Sequence, residues 1–345
     1  MTERLDGGAV ICAEGYLFEL ERRGYLQAGA FVPEVVLEHP DAVLQLHREF
    51  LRAGSDVSVA FTYYAHREKM RLIGKEHLIK SLQKNALALA KQAAEECGGD
   101  SLVCGNICNT NIYDPDDKST HDEVRRMFAE QVGWAADAGV DFILVETLSW
   151  HGEALIGLEE AKKSGVDVAV NLVSHSDGML RENMTPADSC KMLEDAGAAV
   201  VGMNCNRGPA TMLPLLADIR AKVSCHVAGI PVPYRTNTET PTFQSLQDPH
   251  GECCRPEGMR AFPVALDALT CTRYEMADFA KQCVEKDIRL VGVCCGGAPH
   301  HVRAMAEALG RKPKSSKYSP DMSKHYALGG EKSLKKINQG FKSNL

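Results

Sequence analysis

Three cysteines stand where two apolar segments of the chain end. Cys205 directly follows residues 200–204, and Cys294 and Cys295 directly follow residues 290–293. If both segments are parallel strands of one barrel, their carboxyl ends lie at the same mouth and the three thiols can meet there. Three thiolates bind zinc and leave its fourth position open, as in a catalytic rather than a structural zinc site. The sequence therefore predicts a catalytic zinc site at these cysteines.

The adjacent pair imposes a geometric condition. Successive side chains of a strand point to opposite faces, so Cys294 and Cys295 can bind one ion only if the chain turns there. The following residues, Gly296 and Gly297, supply the backbone freedom for such a turn. The pair at residues 253–254, which no predicted strand precedes, is a weaker candidate. So is a lone cysteine at position 12, because a free cysteine is more often a small buried hydrophobe.

Eight short apolar segments alternate with amphipathic ones along the chain. The predicted strands are residues 9–13, 57–63, 101–107, 142–147, 168–173, 199–204, 223–230 and 289–295. Nearly continuous hydrophobic runs of this kind are typical of parallel strands that helices cover. A helix start is predicted at Thr185 and Pro186, a good cap and first-turn pair. The pattern predicts a (β/α)8 TIM barrel, with a doubly wound open sheet as the alternative.

Two segments depart from a plain barrel. Residues 231–270 form an insertion that is too long for a simple loop and is expected to fold over the barrel mouth. Beyond a barrel domain of residues 1–312 lies a basic tail of residues 313–345. Residues 311–345 carry a net formal charge of +7, which leaves −14 on the rest of the chain. Such a tail docks on its own subunit, docks on a neighbouring one to make a homo-oligomer, or stays solvated.

Composition argues against several classes of protein. The formal net charge of −7 speaks against nucleic acid as the main partner. No apolar stretch approaches the roughly 18 residues of a membrane span, and early charges such as Glu3, Arg4 and Asp6 interrupt any signal sequence. The 13 cysteines are an odd number in a chain large enough to fold without disulfides. We expect a cytoplasmic protein with reduced cysteines and no membrane partner.

The two cysteine motifs resemble those of a known family. Residues 202–205 (GMNC) and 292–297 (GVCCGG), in this order, are similar to the zinc motifs of the homocysteine S-methyltransferase family. Residues 38–43, 46–55 and 61–65 most resemble its betaine–homocysteine branch. The resemblance extends from about residue 9 to residue 310, which is nearly the whole predicted barrel, and the tail matches only loosely.

The resemblance implies a zinc-dependent barrel that methylates homocysteine. By this resemblance Cys205, Cys294 and Cys295 hold Zn²⁺, and the open position takes the homocysteine sulfur as a thiolate. A betaine-type onium donor, glycine betaine first, supplies the methyl group, giving methionine and dimethylglycine. Glu146 matches the catalytic-site acid that the family places near the homocysteine amine. Asn204 is expected to orient homocysteine, because it stands next to the zinc ligand Cys205.

The donor pocket implied by the resemblance is aromatic. Tyr63 and Tyr64 are the candidates for cation–π contact with an onium group. Tyr64 matches a betaine-contact tyrosine of the family, and Phe31 falls where the branch usually has tryptophan. His66 and Arg67, just beyond these tyrosines, are candidate holders of the donor carboxylate.

The sequence also departs from the family at the predicted substrate site. The Asp-Gly-Gly-like motif of the first strand reads Ala13, Glu14 and Gly15 here. Glu14 is expected to take over the acidic role one position along, and Glu14 and Gly15 are both predicted to bind substrate. The usual Glu-Tyr pair reads Glu146 and Thr147, which removes a tyrosine that approaches the zinc ion in the family.

These departures leave alternatives for the function. Dimethylsulfoniopropionate, or another sulfonium or betaine, satisfies the same charge requirement as glycine betaine. A non-catalytic zinc- and thiol-binding barrel is a second alternative, from a different class of protein. A metal-independent lyase or aldolase is disfavoured, because no lysine suited to a Schiff base stands at a predicted strand end.

Overall fold

Eight parallel strands close into a barrel in the computed structural model, paired in the order in which they occur in the chain. The structure describes residues 1–247 and 261–344, so the cysteine pair at 253–254 lies outside the described residues. The strands are β1 (Val10–Ala13), β2 (Val57–Val59), β3 (Leu102–Cys108), β4 (Phe142–Leu148), β5 (Asp167–Leu172), β6 (Val200–Asn204), β7 (His226–Ile230) and β8 (Leu290–Val293). The predicted (β/α)8 barrel is confirmed, and the open sheet is excluded because β1 pairs with β8.

Helices cover the outside of this barrel. In the described part of the chain they are α1 (Thr2–Asp6), α2 (Tyr16–Arg22), α3 (Val35–Glu38), α4 (Pro40–Ala53), α5 (Arg67–Leu72), α6 (Ile79–Glu96), α7 (Lys118–Ala138), α8 (His151–Lys162), α9 (Pro186–Asp195), α10 (Pro209–Lys222), α11 (Arg273–Glu285) and α12 (Pro299–Ala308). The predicted cap is present at α9, where the Thr185 hydroxyl accepts a hydrogen bond from the Asp188 amide at 3.0 Å. None of these helices is both long and apolar enough to cross a membrane.

Two strands end at least two residues earlier than the sequence predicts. β2 stops at Val59 rather than at residue 63, and β8 stops at Val293 rather than at residue 295. Beyond these points the backbone bonds to loops: the Thr62 amide donates to the Ala60 carbonyl, and the Cys294 amide donates to the Pro231 carbonyl at 2.9 Å. The apolar runs continue past both strands because the loop residues are buried in the mouth. The functional loops therefore begin inside the runs that were predicted as strand.

Glycine allows the strands that precede the cysteines to approach their neighbours closely. A Cβ atom on Gly202 would lie 2.0 Å from the Ala228 carbonyl oxygen on β7. One on Gly292 would lie 1.9 Å from the Cys12 carbonyl oxygen on β1. Any larger residue at either position would push the strands apart beside the mouth.

The described parts of the insertion lie at the barrel mouth, as predicted. The Phe243 amide donates to the carbonyl of Asn206, the residue after Cys205, at 2.7 Å. The Phe243 ring lies between those of Phe18, at 6.1 Å, and Tyr234, at 5.9 Å. The insertion is therefore fastened to the loop that follows β6. The tail beyond the barrel consists of short 3-10 turns, the first at Lys314–Tyr318.

Candidate metal centre and substrate cavity

The structure brings the three predicted cysteines together at the barrel mouth. The sulfur atoms of Cys205, Cys294 and Cys295 all lie within 4.8 Å of one another. Cys205 follows β6 in a left-handed conformation with φ of 55°, and the other two lie on the loop after β8. A tetrahedral zinc ion with sulfur ligands at about 2.3 Å would separate them by about 3.8 Å. The cluster thus needs only a small contraction to hold such an ion.

Hydrogen bonds among the three thiols of the cluster stabilise a negative charge on one of them. Hydrogen bonds from Cys294 and Cys295 lower the pKa of Cys205 well below its ordinary value, although burial acts the other way. The bond to Cys205 correspondingly raises the pKa of Cys294 and that of Cys295. The cluster therefore favours one thiolate held by two thiols, and a cation bound to all three sulfurs would replace the remaining protons.

The loop that carries the cysteine pair depends on Gly296 and a tyrosine from the insertion. Gly296 adopts φ of 87°, and a Cβ there would lie 2.3 Å from the Tyr234 hydroxyl oxygen. Tyr234 is fully buried, and its hydroxyl accepts a hydrogen bond from the Arg22 guanidinium at 3.0 Å. The insertion thus fixes the path of the cysteine loop from above.

Glu146 lies at the centre of a buried network beside the cysteines. Its two carboxylate oxygens accept hydrogen bonds from the side-chain amides of Asn106 on β3 and Asn204 on β6. The Asn204 side chain also accepts from the Thr147 amide at 2.9 Å, and its amide group lies 3.9 Å from the Cys294 sulfur. Asn204 therefore couples the acid to the cysteine cluster, and Glu146 lies within a register shift of β4 between Val145 and Leu148.

Glu14 faces Glu146 across the mouth. Burial, together with the charge of Glu146 and a hydrogen bond to it, raises the pKa of Glu14 well above its ordinary value. Burial also raises the pKa of Glu146, while hydrogen bonds from Glu14 and Asn106 oppose the shift. These shifts favour a protonated Glu14 beside a charged Glu146, so that Glu146 offers the negative charge to a cationic group.

One cavity joins the acids, the cysteines and three aromatic side chains. Its lining consists of Glu14, Tyr16, Leu17, Val59, Ala60, Phe61, Tyr63, Asn106, Glu146, Thr147, Cys205, Cys294 and Cys295. Polar groups that converge on a largely apolar cavity are typical of a small-molecule site. The volume of this cavity is only about 30 Å³, so side chains at the mouth must move before a ligand can reach the sulfur cluster.

Four of the predicted site residues do not line this cavity. Asn204 acts behind Glu146, as described above. Gly15 abuts the cysteine loop, since a Cβ there would lie 1.9 Å from the Gly297 carbonyl oxygen. Phe31 stacks on Phe18 at 5.9 Å, and Tyr64 packs behind Tyr63 with the ring centres 4.3 Å apart. Both tyrosines lie in the turn after β2, not at its tip.

Sequence reasoning missed Asn106 and Tyr234. Asn106 is a polar residue within an otherwise apolar strand, and this was the one signal that could have singled it out. Tyr234 lies in the proline-rich insertion, where the sequence contains nothing that connects it with the cysteine loop.

Comparison with known proteins gives a consistent result. The family model for homocysteine S-methyltransferase matches residues 9–309. The S-methylmethionine–homocysteine S-methyltransferase BHMT2 of Pongo abelii is 35% identical over 340 residues, covering 95% of this chain and 86% of that protein. Betaine–homocysteine S-methyltransferase 1 of Danio rerio is 35% identical over 333 residues, covering 96% and 80%. The metallated form of the homocysteine methyltransferase MmuM from Escherichia coli has a TM-score of 0.68 at 18% identity, covering 88% and 98%, and shares the barrel fold.

Proposed function

Because the chain belongs to the homocysteine S-methyltransferase family, it is an enzyme that methylates homocysteine, and we propose that it takes the methyl group from glycine betaine at a zinc centre. The observation that carries the proposal is the cluster of Cys205, Cys294 and Cys295, with all sulfurs within 4.8 Å, opening on a cavity that also contains two acids. The products are methionine and dimethylglycine.

The donor set fits zinc. Three cysteine sulfurs leave the fourth tetrahedral position for a substrate thiol, and sulfur ligands favour zinc over magnesium or calcium. Zinc, when bound, lowers the pKa of the homocysteine thiol, so that the thiolate needed for attack is present at neutral pH. The negative charge that the cluster already favours at Cys205 suits a divalent cation.

Glu146 binds the homocysteine ammonium in this proposal. Its carboxylate lies between Asn106 and Asn204, whose amide groups hold it in one orientation. Binding the ammonium there fixes the distance from the amine end of homocysteine to the sulfur cluster, because Asn204 also contacts the Cys294 sulfur. Glu14 faces the same cavity, and its raised pKa keeps it protonated, which leaves the negative charge on Glu146.

Methyl transfer then requires alignment and the exclusion of water. The homocysteine sulfur forms a bond to the methyl carbon while the carbon–nitrogen bond of the betaine breaks. Its electron pair stays on nitrogen, which leaves as the neutral amine of dimethylglycine. Tyr16, Phe61 and Tyr63 surround the reacting groups with aromatic surface, which stabilises an onium cation and keeps the cavity dry.

S-methylmethionine is the second candidate donor. It is a sulfonium, so the same transfer would break a carbon–sulfur bond and release a neutral sulfide. What favours it is the 35% identity to a relative whose name states that donor. Dimethylsulfoniopropionate meets the same requirement for a positively charged leaving centre.

Proton NMR of the purified enzyme with homocysteine and each of these donors separates the candidates. We expect methionine to appear with glycine betaine, together with one equivalent of dimethylglycine. Conversion with S-methylmethionine alone would contradict the proposed donor. Zinc binding without conversion of any onium donor would favour the non-catalytic thiol-binding barrel.

A further inference from the structure

A lysine lies beside the aromatic pair that leads to the metal centre. The ammonium nitrogen of Lys69, on α5, is 4.1 Å from the centre of the Tyr64 ring. The Tyr64 ring is in turn 4.3 Å from the ring of Tyr63, which lines the cavity together with the three cysteines. The row formed by Lys69, Tyr64 and Tyr63 therefore ends at the substrate cavity.

Among the described residues no acid forms an ion pair with this ammonium, although the charge of Glu68 acts on it at longer range. Glu68, the residue before Lys69, instead pairs with Arg71 at 2.8 Å, and no ion pair between described residues includes Lys69. The lysine is half-buried, and Cys108, the last residue of β3, lies close enough to influence it. The ammonium thus lies against the Tyr64 ring with no ion-pair partner among the described residues.

The two neighbouring candidates for an anion-binding group are not suited to the role. Arg67 forms an ion pair with Glu130 at 2.8 Å on the protein surface. His66 is buried, edge-on to Tyr64, and burial lowers its pKa to about 4, so it is neutral at physiological pH. Of these three basic side chains beyond β2, Lys69 alone carries a positive charge without an ion-pair partner at the aromatic pair.

We propose that Lys69 binds the carboxylate of the methyl donor and so selects zwitterionic donors over simple onium cations. The inference rests on the proposed methyl transfer and adds the donor class to it. An onium group on Tyr63 and Tyr64 gains cation–π attraction but is repelled by the ammonium beside them. A donor that brings its own carboxylate replaces this repulsion with a charge-assisted hydrogen bond. One residue thereby favours zwitterions and disfavours bare cations.

The test compares a zwitterionic donor with its carboxylate-free counterpart. The pairs are glycine betaine with tetramethylammonium, and dimethylsulfoniopropionate with trimethylsulfonium. The bare cation is followed as a substrate or as a competitive inhibitor. In Lys69→Met we expect the KM of the active zwitterion to rise roughly 10- to 100-fold with kcat little changed, because the contact is remote from the reacting methyl group. The KM or Ki of the bare cation should stay the same or fall, and Lys69→Arg should restore most of the discrimination.

Lys80→Met is the matched control, since Lys80 is exposed on α6 and should leave both constants unchanged. An equal rise for zwitterion and bare cation in Lys69→Met would overturn the proposal, because it would indicate general damage to the pocket. An equal fall would also overturn it, since Lys69 would then only repel cations. If wild-type enzyme transfers no methyl group from any onium donor, the proposed function fails, and this outcome is distinct from the failure of Lys69 alone.

Discussion

At the scale of single residues, the three cysteines are not equivalent within the cluster. Cys205 receives hydrogen bonds from both others, whereas Cys294 and Cys295 are donors to it. Removing a donor leaves two sulfurs, which are too few for a three-thiolate zinc site.

We expect Cys294→Ala to lose zinc and activity. Its zinc affinity should fall at least 100-fold, which exceeds the roughly 10- to 100-fold effect of changing an outer partner of a ligand. Zinc content after dialysis, measured by atomic emission, is the readout, with methionine formation measured in parallel. Cys225→Ala is the control, because Cys225 lies before β7 at the other end of the barrel. A Cys294→Ala protein that keeps one zinc per chain and its activity would contradict the metal assignment.

Glu146 is predicted to bind homocysteine and not the methyl donor. Glu146→Gln removes the charge and keeps the size of the side chain, so the KM for homocysteine should rise roughly 10- to 100-fold through the lost charge-assisted contact. The KM for the donor should change little. Initial rates with each substrate varied in turn measure both constants, and equal changes in the two would speak against an ammonium-binding role.

At the scale of elements, the cysteine loop after β8 depends on one backbone conformation. Gly296 combines a left-handed φ of 87° with direct contact to the Tyr234 hydroxyl. An L-residue in that conformation costs about 1–2 kcal/mol even without a clash. The position of two metal ligands is therefore set by a residue that binds no metal.

Gly296→Ala is expected to weaken zinc binding more than it weakens the barrel. The added methyl group must displace Tyr234 or the loop, and either movement separates Cys294 and Cys295 from Cys205. Zinc affinity by competition with a chelator, together with thermal unfolding of the metal-free protein, separates the two effects. Gly133→Ala, in α7 with no heavy atom near the added methyl group, should be neutral or stabilising by up to about 1 kcal/mol. Wild-type zinc affinity in Gly296→Ala would refute the loop argument.

The elements also show what the sequence could predict. The number and order of the strands follow from apolar runs, because strands covered by helices must be hydrophobic along their whole length. The ends of β2 and β8 were predicted wrongly, because the loops after them are buried too and extend the same apolar runs. The convergence of Asn106, Glu146 and Asn204 depends on barrel curvature and on a bulge, neither of which a residue pattern encodes. The roles of Phe31 and Tyr64 in donor binding stay predictions.

At the scale of the whole molecule, buried histidines link stability to pH. His47 is fully buried, and its Nδ1 lies 2.9 Å from the Tyr16 hydroxyl. Burial lowers the pKa of His47 to about 3, whereas an unfolded chain would have a value of about 6.5. Below about pH 6.5 the unfolded state therefore binds a proton at His47 that the folded state does not bind. Stability from this residue is complete above that pH and is lost as the pH falls toward 3.

We expect the His47→Asn protein to lose less stability than the wild type between pH 6.5 and pH 4. The free energy of unfolding should change with pH less steeply in the variant, by up to one proton, or about 1.4 kcal/mol per pH unit. Urea unfolding at a series of pH values measures it, and parallel curves for the two proteins would show that His47 does not titrate in this way.

The tail bears on the assembly of the whole molecule. It is basic while the rest of the chain is acidic, and it exposes 70% of Tyr326 and 87% of Ile337. Apolar side chains on a charged tail are what a contact with an acidic body of the same or another subunit would cover. Docking of residues 313–345 and homo-oligomer formation through them stay predictions.

Gly202 and Gly292 bear on how the family's sequences can diverge. Both glycines belong to the motifs that contain the cysteines, yet the structure assigns them to barrel closure, where a Cβ atom would collide with a neighbouring strand. Within each short motif, the cysteines are therefore constrained by metal binding and the glycine is constrained by strand packing. In descendants that lose the metal, the cysteines become free to drift while the glycines stay fixed. A relative that keeps the glycines of both motifs but lacks the cysteines would therefore have the same barrel without the metal site.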